Sequence, residues 1–124
     1  MNFKIFDTEI IIDEDLIAEN KEEIRRQLEE YRKGERKAFN LEISFPDDFT
    51  GEVMREMSEI DYGETKTYDE IAESLDSSAV AVGQACAKNT VPIIVPCHRV
   101  VGKDSVGGYR YGKDLKKKLL SLEK

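Results

Sequence analysis

Thr67-Tyr68-Asp69-Glu70-Ile71-Ala72-Glu73-Ser74-Leu75-Asp76-Ser77-Ser78-Ala79-Val80-Ala81-Val82-Gly83-Gln84-Ala85-Cys86-Ala87-Lys88 reads as two short helices with a polar break between them. Thr67 is a good N-cap, and Glu70 three residues on completes a capping-box pattern for a helix over Tyr68–Leu75. Asp76-Ser77-Ser78 ends that helix and can cap a second, Ala79–Lys88. The pair is a helix-turn-helix candidate. Its second helix carries small residues on every side. Taken on its own, such a helix suits a tightly packed core first, and the alternative is an outer face that approaches a nucleic-acid groove closely.

Upstream, Phe3–Phe6 and Ile10–Ile12 predict a hairpin through Asp7-Thr8. A charged amphipathic helix follows over Leu16–Lys33, with Ile17, Ile24, Leu28 and Tyr31 on its apolar face and Gly34 as a stop. Ala38–Phe45 alternates (Phe39, Leu41, Ile43, Phe45) and predicts a strand with one buried face. Pro46-Asp47-Asp48 predicts a turn, and Phe49–Ile60 a helix with Phe49, Val53, Met57 and Ile60 on one side. Downstream, Ile93–Val95 and Val100–Val101 read as short strands. A glycine-rich loop, Asp104–Gly108, leads through Tyr109-Arg110-Tyr111-Gly112 into a closing helix over Lys113–Glu123. The implied class is α/β (α+β): a small N-terminal strand-and-helix layer, residues 1–46, ahead of a mostly helical, winged-helix-like domain, residues 47–124, that contains the helix-turn-helix.

The length of 124 residues fits one continuous core, and 36% charged residues with no long apolar run fit a soluble protein. No signal-peptide pattern opens the chain, so a cytoplasmic, reducing compartment is expected. Two cysteines and one histidine are too few for a closed structural zinc site, and no metal is expected. The net charge of −7 is unevenly distributed. Residues 1–76 carry 10 basic and 23 acidic side chains, net −13; residues 77–124 carry 9 and 3, net +6. The second half is therefore suited to a polyanion.

The sole histidine follows a cysteine in Val95-Pro96-Cys97-His98-Arg99-Val100-Val101. A thiolate is a sulfur nucleophile, and a neighbouring imidazole is a usual activator. Taken alone, the dipeptide is also compatible with a small buried thiol and a structural imidazole.

The surroundings shift that balance. In chain order stand Gly63-Glu64-Thr65, then Thr67-Tyr68-Asp69-Glu70-Ile71-Ala72, the helix-turn-helix, Asn89-Thr90-Val91-Pro92-Ile93, Pro96-Cys97-His98-Arg99-Val100-Val101, Gly107-Gly108-Tyr109, and a last helix ending Leu119-Leu120-Ser121-Leu122-Glu123. Over Phe49–Glu123 the chain resembles the O6-alkylguanine-DNA alkyltransferases, the methylated-DNA–protein-cysteine methyltransferases. The first 45 residues match only loosely and are shorter than the family's usual N-terminal domain.

That resemblance implies stoichiometric repair of double-stranded DNA. The protein flips O6-alkylguanine, or O4-alkylthymine, from the duplex and takes the alkyl group irreversibly onto a cysteine. It needs no cofactor and no membrane, and acts as a cytoplasmic, nucleoid-associated monomer. It implies Cys97 as acceptor, His98 as base through a bridging water, Glu123 as the acid that orients His98, Asn89 as a brace of the turn, and Tyr68 as a donor near the leaving oxygen. Tyr109, Arg110 and Lys116 match the positions around the base, with Tyr109 stacking on it. The backbone carbonyls of Cys97 and Val100 read its amino group. Thr67, Ser77, Ser78, Val80, Gln84, Lys88 and Arg99 are the implied DNA contacts. Val80 stands where the family usually has an arginine that fills the gap left by the flipped base, which implies weaker DNA binding. Tyr111 is bulky for a pocket rim and implies slower reaction with benzyl than with methyl. Cys86 reads as packed rather than as a second acceptor. The competing readings are a non-transferring damage sensor of the same fold and a plain helix-turn-helix DNA-binding module.

Overall fold

A computed structural model describes all 124 residues. The N-terminal layer opens with an antiparallel hairpin, β1 (Asn2–Ile5) and β2 (Thr8–Ile11), in the register Phe3↔Ile10. Its two-residue turn places Phe6 and Asp7 at φ 49° and 63°. Positive φ at both central positions is the geometry that matches the twist of the flanking strands. Phe3, Ile5, Ile10 and Ile12 all point into the core.

Helix α1 spans Lys21–Arg32, not Leu16–Lys33. The Asn20 side chain accepts from Glu23 N–H and fixes the start. Gly34, at φ 77°, ends the helix. Its N–H donates to Tyr31 C=O and that of Glu35 to Glu30 C=O, the paired bonds of a Schellman cap. Ile17 is buried, but by backbone pairing with Ile43 and not by a helix face.

That bridge is all that remains of the expected strand over Ala38–Phe45. Ala18 N–H donates to Glu42 C=O and Ser44 N–H to Leu16 C=O, while the rest of the segment is irregular. Gln27 moors it, accepting from Asn40 N–H (2.8 Å) and donating to Asn40 C=O (3.0 Å). Phe39, Leu41, Ile43 and Phe45 are half-buried against the core. The alternation thus reported one-sided burial correctly, but the partner strand that would extend it is missing.

Helix α2 (Phe49–Ser58) packs against the second helix of the helix-turn-helix. Two residues, Lys66–Thr67 (β3), pair in parallel with Val100–Val101 (β4). The helix-turn-helix follows as α3 (Tyr68–Ser74) and α4 (Ala79–Ala87), packed on each other. Both halves of the Thr67–Glu70 capping box form. The last helix, α5 (Lys113–Leu122), contacts the short 3-10 turn at Cys97–Arg99. Buried side chains of residues 1–46 and 47–124 form one continuous cluster.

Ile93–Val95 is not a strand. Ile94 N–H bonds to Pro92 C=O and Val95 N–H to Val91 C=O, and Ile93 sits at φ 71°. Positive φ in a β-branched residue is strained backbone that its surroundings must hold. Cys97 therefore follows a run of tight turns, all of it buried.

Candidate active site

Asn89 holds these turns. Its side chain donates to Val95 C=O (2.9 Å) and accepts from Val91 N–H (3.1 Å), closing the loop ahead of the cysteine. Cys97, 8% exposed, lies in the floor of a cavity of about 530 Å³. Tyr68, Ala79, Val80, Gly83, Cys86, Ala87, Gly108, Tyr109 and Arg110 line the remainder. Its size falls within the range of small-molecule sites, roughly 300–1,000 Å³. One wall is the inner edge of α4 and the opposite wall is the glycine-rich loop.

The wall of α4 is slim by composition. A Cβ on Gly83 would meet nothing within 4 Å, so internal packing does not require glycine there. Val80, Gln84 and Lys88, four residues apart, form one exposed stripe along the helix, and Val80 is 72% exposed. Ser77 is exposed, and Ser78 caps α4 by accepting from Ala81 N–H. The Thr67 hydroxyl is committed to the cap of α3. The loop wall needs its glycine: Gly107 lies at φ 77°, and a Cβ there would come within 2.6 Å of the Tyr68 hydroxyl.

Behind the cysteine stands a buried charge network. His98 and Glu123 are joined Nε2 to Oε2 at 2.7 Å. Arg99 donates to both Glu123 oxygens, Nε to Oε1 (2.9 Å) and Nη2 to Oε2 (3.0 Å), and from Nη1 to Ile60 C=O (2.7 Å). Tyr31 donates to Glu123 Oε2 at 2.6 Å. Arg99, expected among the DNA contacts, is thus an interior residue, 6% exposed. The motif Cys-His-Arg identified its charge, but only the 3-10 turn decides that it faces inward.

Burial by itself would raise the Glu123 carboxyl. The hydrogen bonds from His98, Arg99 and Tyr31 outweigh that and hold it at about 2. Glu123 caps the C-terminus of α5, where a helix dipole disfavours an anion, so the network and not the helix keeps the carboxylate there. Burial pushes His98 below its ordinary value against the opposing pull of Glu123, so the imidazole is neutral at neutral pH. Facing a carboxylate, neutral His98 carries its proton on Nε2, and Nδ1 is left as the acceptor. Nδ1 is buried and has no protein partner. Burial raises the Cys97 thiol, with Asn89, Lys116 and Arg110 pulling the other way. No hydrogen bond joins Cys97 to His98. The Cys86 thiol is pushed up to about 12, chiefly by burial.

Lys116 does not face the cavity. Its ammonium donates to Val100 C=O (2.6 Å), Gly108 C=O (3.0 Å) and Tyr68 Oη (3.4 Å), which occupies all three N–H bonds. It therefore ties β4, the glycine-rich loop and Tyr68 together. The Val100 carbonyl, expected to read a base, is engaged by that lysine. Tyr111 is also displaced from its expected place. It is not a wall of the cavity, and its hydroxyl accepts from Ile11 N–H of β2 at 3.2 Å, with its ring edge-on to Tyr109 at 6.2 Å. Tyr31, read from sequence as one apolar-face residue of α1, is the member of the network that the sequence did not announce. No group of three or more His, Cys, Asp or Glu side chains converges in a metal-binding arrangement.

A helix-turn-helix whose second helix forms one wall of a cavity floored by a cysteine, with a histidine–carboxylate pair behind it, is an arrangement suited to cysteine chemistry beside a nucleic acid. The family described as 6-O-methylguanine DNA methyltransferase, DNA binding domain, matches residues 48–124. The chain belongs to this methylated-DNA–protein-cysteine methyltransferase family. It is 46% identical over 112 residues to the methylated-DNA–protein-cysteine methyltransferase of Archaeoglobus fulgidus, covering 82% of this chain and 74% of that protein. A Methanocaldococcus jannaschii relative of the same name is 45% identical over 87 residues, which span 50% of its length. The structure superposes on Mycobacterium tuberculosis OGT in complex with DNA with a TM-score of 0.78 at 40% identity, covering 82% of this chain and 66% of that one.

Proposed function

We propose that the chain repairs O6-alkylguanine, and O4-alkylthymine, in duplex DNA by accepting the alkyl group on Cys97 in a single turnover. The observation that carries this reading is the joint placement of Cys97 at the floor of a cavity walled by α4 and of His98 against Glu123. The damaged base leaves the stack and enters beside α4, its ring against Tyr109. The exposed stripe of Val80, Gln84 and Lys88, with Ser77 and Ser78 at the helix start, faces the duplex. Val80 supplies an apolar wedge in place of the family's arginine.

The thiol is protonated at rest, and His98 Nδ1 takes its proton through one bridging water as the base docks. The resulting imidazolium is stabilised by Glu123, and Arg99 keeps that carboxylate ionised. The thiolate attacks the alkyl carbon in line. A C–S bond forms, the C–O bond breaks, and its electron pair stays on the base oxygen. Tyr68 gives that oxygen a hydrogen bond as charge develops. Its own oxygen accepts from Lys116, which makes its O–H a better donor. The thioether has no leaving path, so the protein is consumed. In this reading the chain acts as a monomer on cytoplasmic DNA.

The test is incubation with an O6-methylguanine duplex followed by peptide mass spectrometry. One methyl increment on the Cys97 peptide is expected. Tight duplex binding with no increment would instead identify a non-transferring damage sensor, and binding indifferent to the lesion a plain DNA-binding module.

A further inference from the structure

Helix α1 lies outside the cavity, yet its Tyr31 reaches the reaction machinery. The side chain is fully buried, and its hydroxyl donates to Glu123 Oε2 at 2.6 Å. The same oxygen pairs with His98 Nε2 at 2.7 Å. The Tyr31 ring is fixed on two sides, by Phe39 at 5.6 Å and edge-on by Tyr62 at 6.3 Å. Tyr62 in turn donates to Leu122 C=O, one residue before Glu123. Burial raises Tyr31 well above the usual phenol range, so it remains a donor at every working pH.

Arg99 already balances the Glu123 charge through a fork that engages both oxygens. A further hydroxyl is not needed for neutrality. What it adds is a second protein anchor on Oε2, the oxygen that pairs with His98, beyond the single bond that Arg99 Nη2 makes there. It also competes with His98 for the density on Oε2, since each donor that an oxygen accepts weakens the others. We infer that Tyr31 is a positioning residue for alkyl transfer: its hydroxyl holds Glu123 Oε2 on His98 and limits how strongly Glu123 draws the imidazole proton. The N-terminal layer thereby contributes to the site, and is more than a support for it. The inference rests on the alkyl-transfer reading above.

The test uses the full chain with Tyr31→Phe, Glu123→Gln and the double variant. Single-turnover transfer is measured at saturating O6-methylguanine duplex, and the titration of His98 is followed by NMR. Because His98 is the sole histidine, its ring signals need no assignment. Tyr31→Phe should bind duplex as the wild type does, transfer about tenfold more slowly, a part of what a general base supplies, and raise the His98 midpoint by roughly half a pH unit. On the Glu123→Gln background it should cause no further loss, because the hydroxyl acts through Glu123. Unchanged rate and midpoint, or an equal fold loss in both backgrounds, overturns the inference. If Tyr31→Phe does not fold, 3-fluorotyrosine at position 31 keeps the ring and strengthens the donor. It should then lower the His98 midpoint, and no movement overturns the inference. A wild type that alkylates nothing refutes the proposed function, while the His98 midpoints still decide the role of Tyr31.

Discussion

Replacing Arg99 by methionine separates two roles for this side chain that differ in every observable. A DNA contact would be a surface charge, and its loss would leave folding intact. The structure instead gives Arg99 three interior bonds, two to Glu123 and one to Ile60 C=O, at 2.7–3.0 Å. Arg99→Met removes the charge and keeps most of the stem. Glu123 retains His98 and Tyr31 but loses its only buried cation, and the Ile60 carbonyl loses its partner. Truncating one member of a buried pair costs about 3–5 kcal/mol. For a domain of this length that lowers Tm by roughly 10–20 °C. The assay is thermal unfolding by circular dichroism, paired with duplex binding at several salt concentrations below the melting range. Destabilisation of that size, with an unchanged salt slope for the folded protein, is expected. A Tm within about 2 °C of wild type, together with a salt slope reduced by about one, would refute the reasoning and return Arg99 to the DNA face.

Val80→Arg should tighten duplex binding roughly fivefold at low salt, the scale of one added phosphate contact, as read by titration against a fluorescent duplex. Cys86→Ser should leave transfer unchanged while Cys97→Ser abolishes it, since the buried His98–Glu123 pair stands behind Cys97, whereas the Cys86 thiol packs against Met57 and is pushed up to about 12 by burial. Tyr111→Phe should cost about 0.5–1.5 kcal/mol in urea unfolding by freeing Ile11 N–H, and should leave the ratio of benzyl to methyl transfer rates unaltered, because Tyr111 is off the cavity wall. Acid should destabilise the fold in two windows. His98 and Glu123 both have lowered values in the folded state, so each binds fewer protons folded than unfolded. Their stabilisation is complete above about pH 6.5 and is lost as pH falls, first through His98 and then, between 4.5 and about 2, through Glu123. The Glu123 share is roughly 3 kcal/mol, and Glu123→Gln should flatten the lower window in urea titrations.

The sequence by itself determined the helix-turn-helix, because a capping box and a serine cap act within four residues and need no distant partner. It also determined the β1–β2 hairpin, where alternation has one buried face to report. The Cys97–His98 pair was legible as a candidate site, and the family pattern pointed to Glu123, which the structure pairs with His98. Two strands were misread for opposite reasons. Ile93–Val95 is buried on all sides, so apolar content carried no information about its tight turns, whereas Ala38–Phe45 alternates without a neighbour to complete a sheet. Tertiary structure alone decided where the charges point. Arg99, Lys116 and Tyr31 meet partners 24, 16 and 92 residues away, and local pattern is blind to such separations. A buried charge or hydroxyl must find a partner wherever the packing of α1, α5 and the cysteine turn puts one. That requirement turned an expected DNA contact into a brace and an apolar-face tyrosine into a donor.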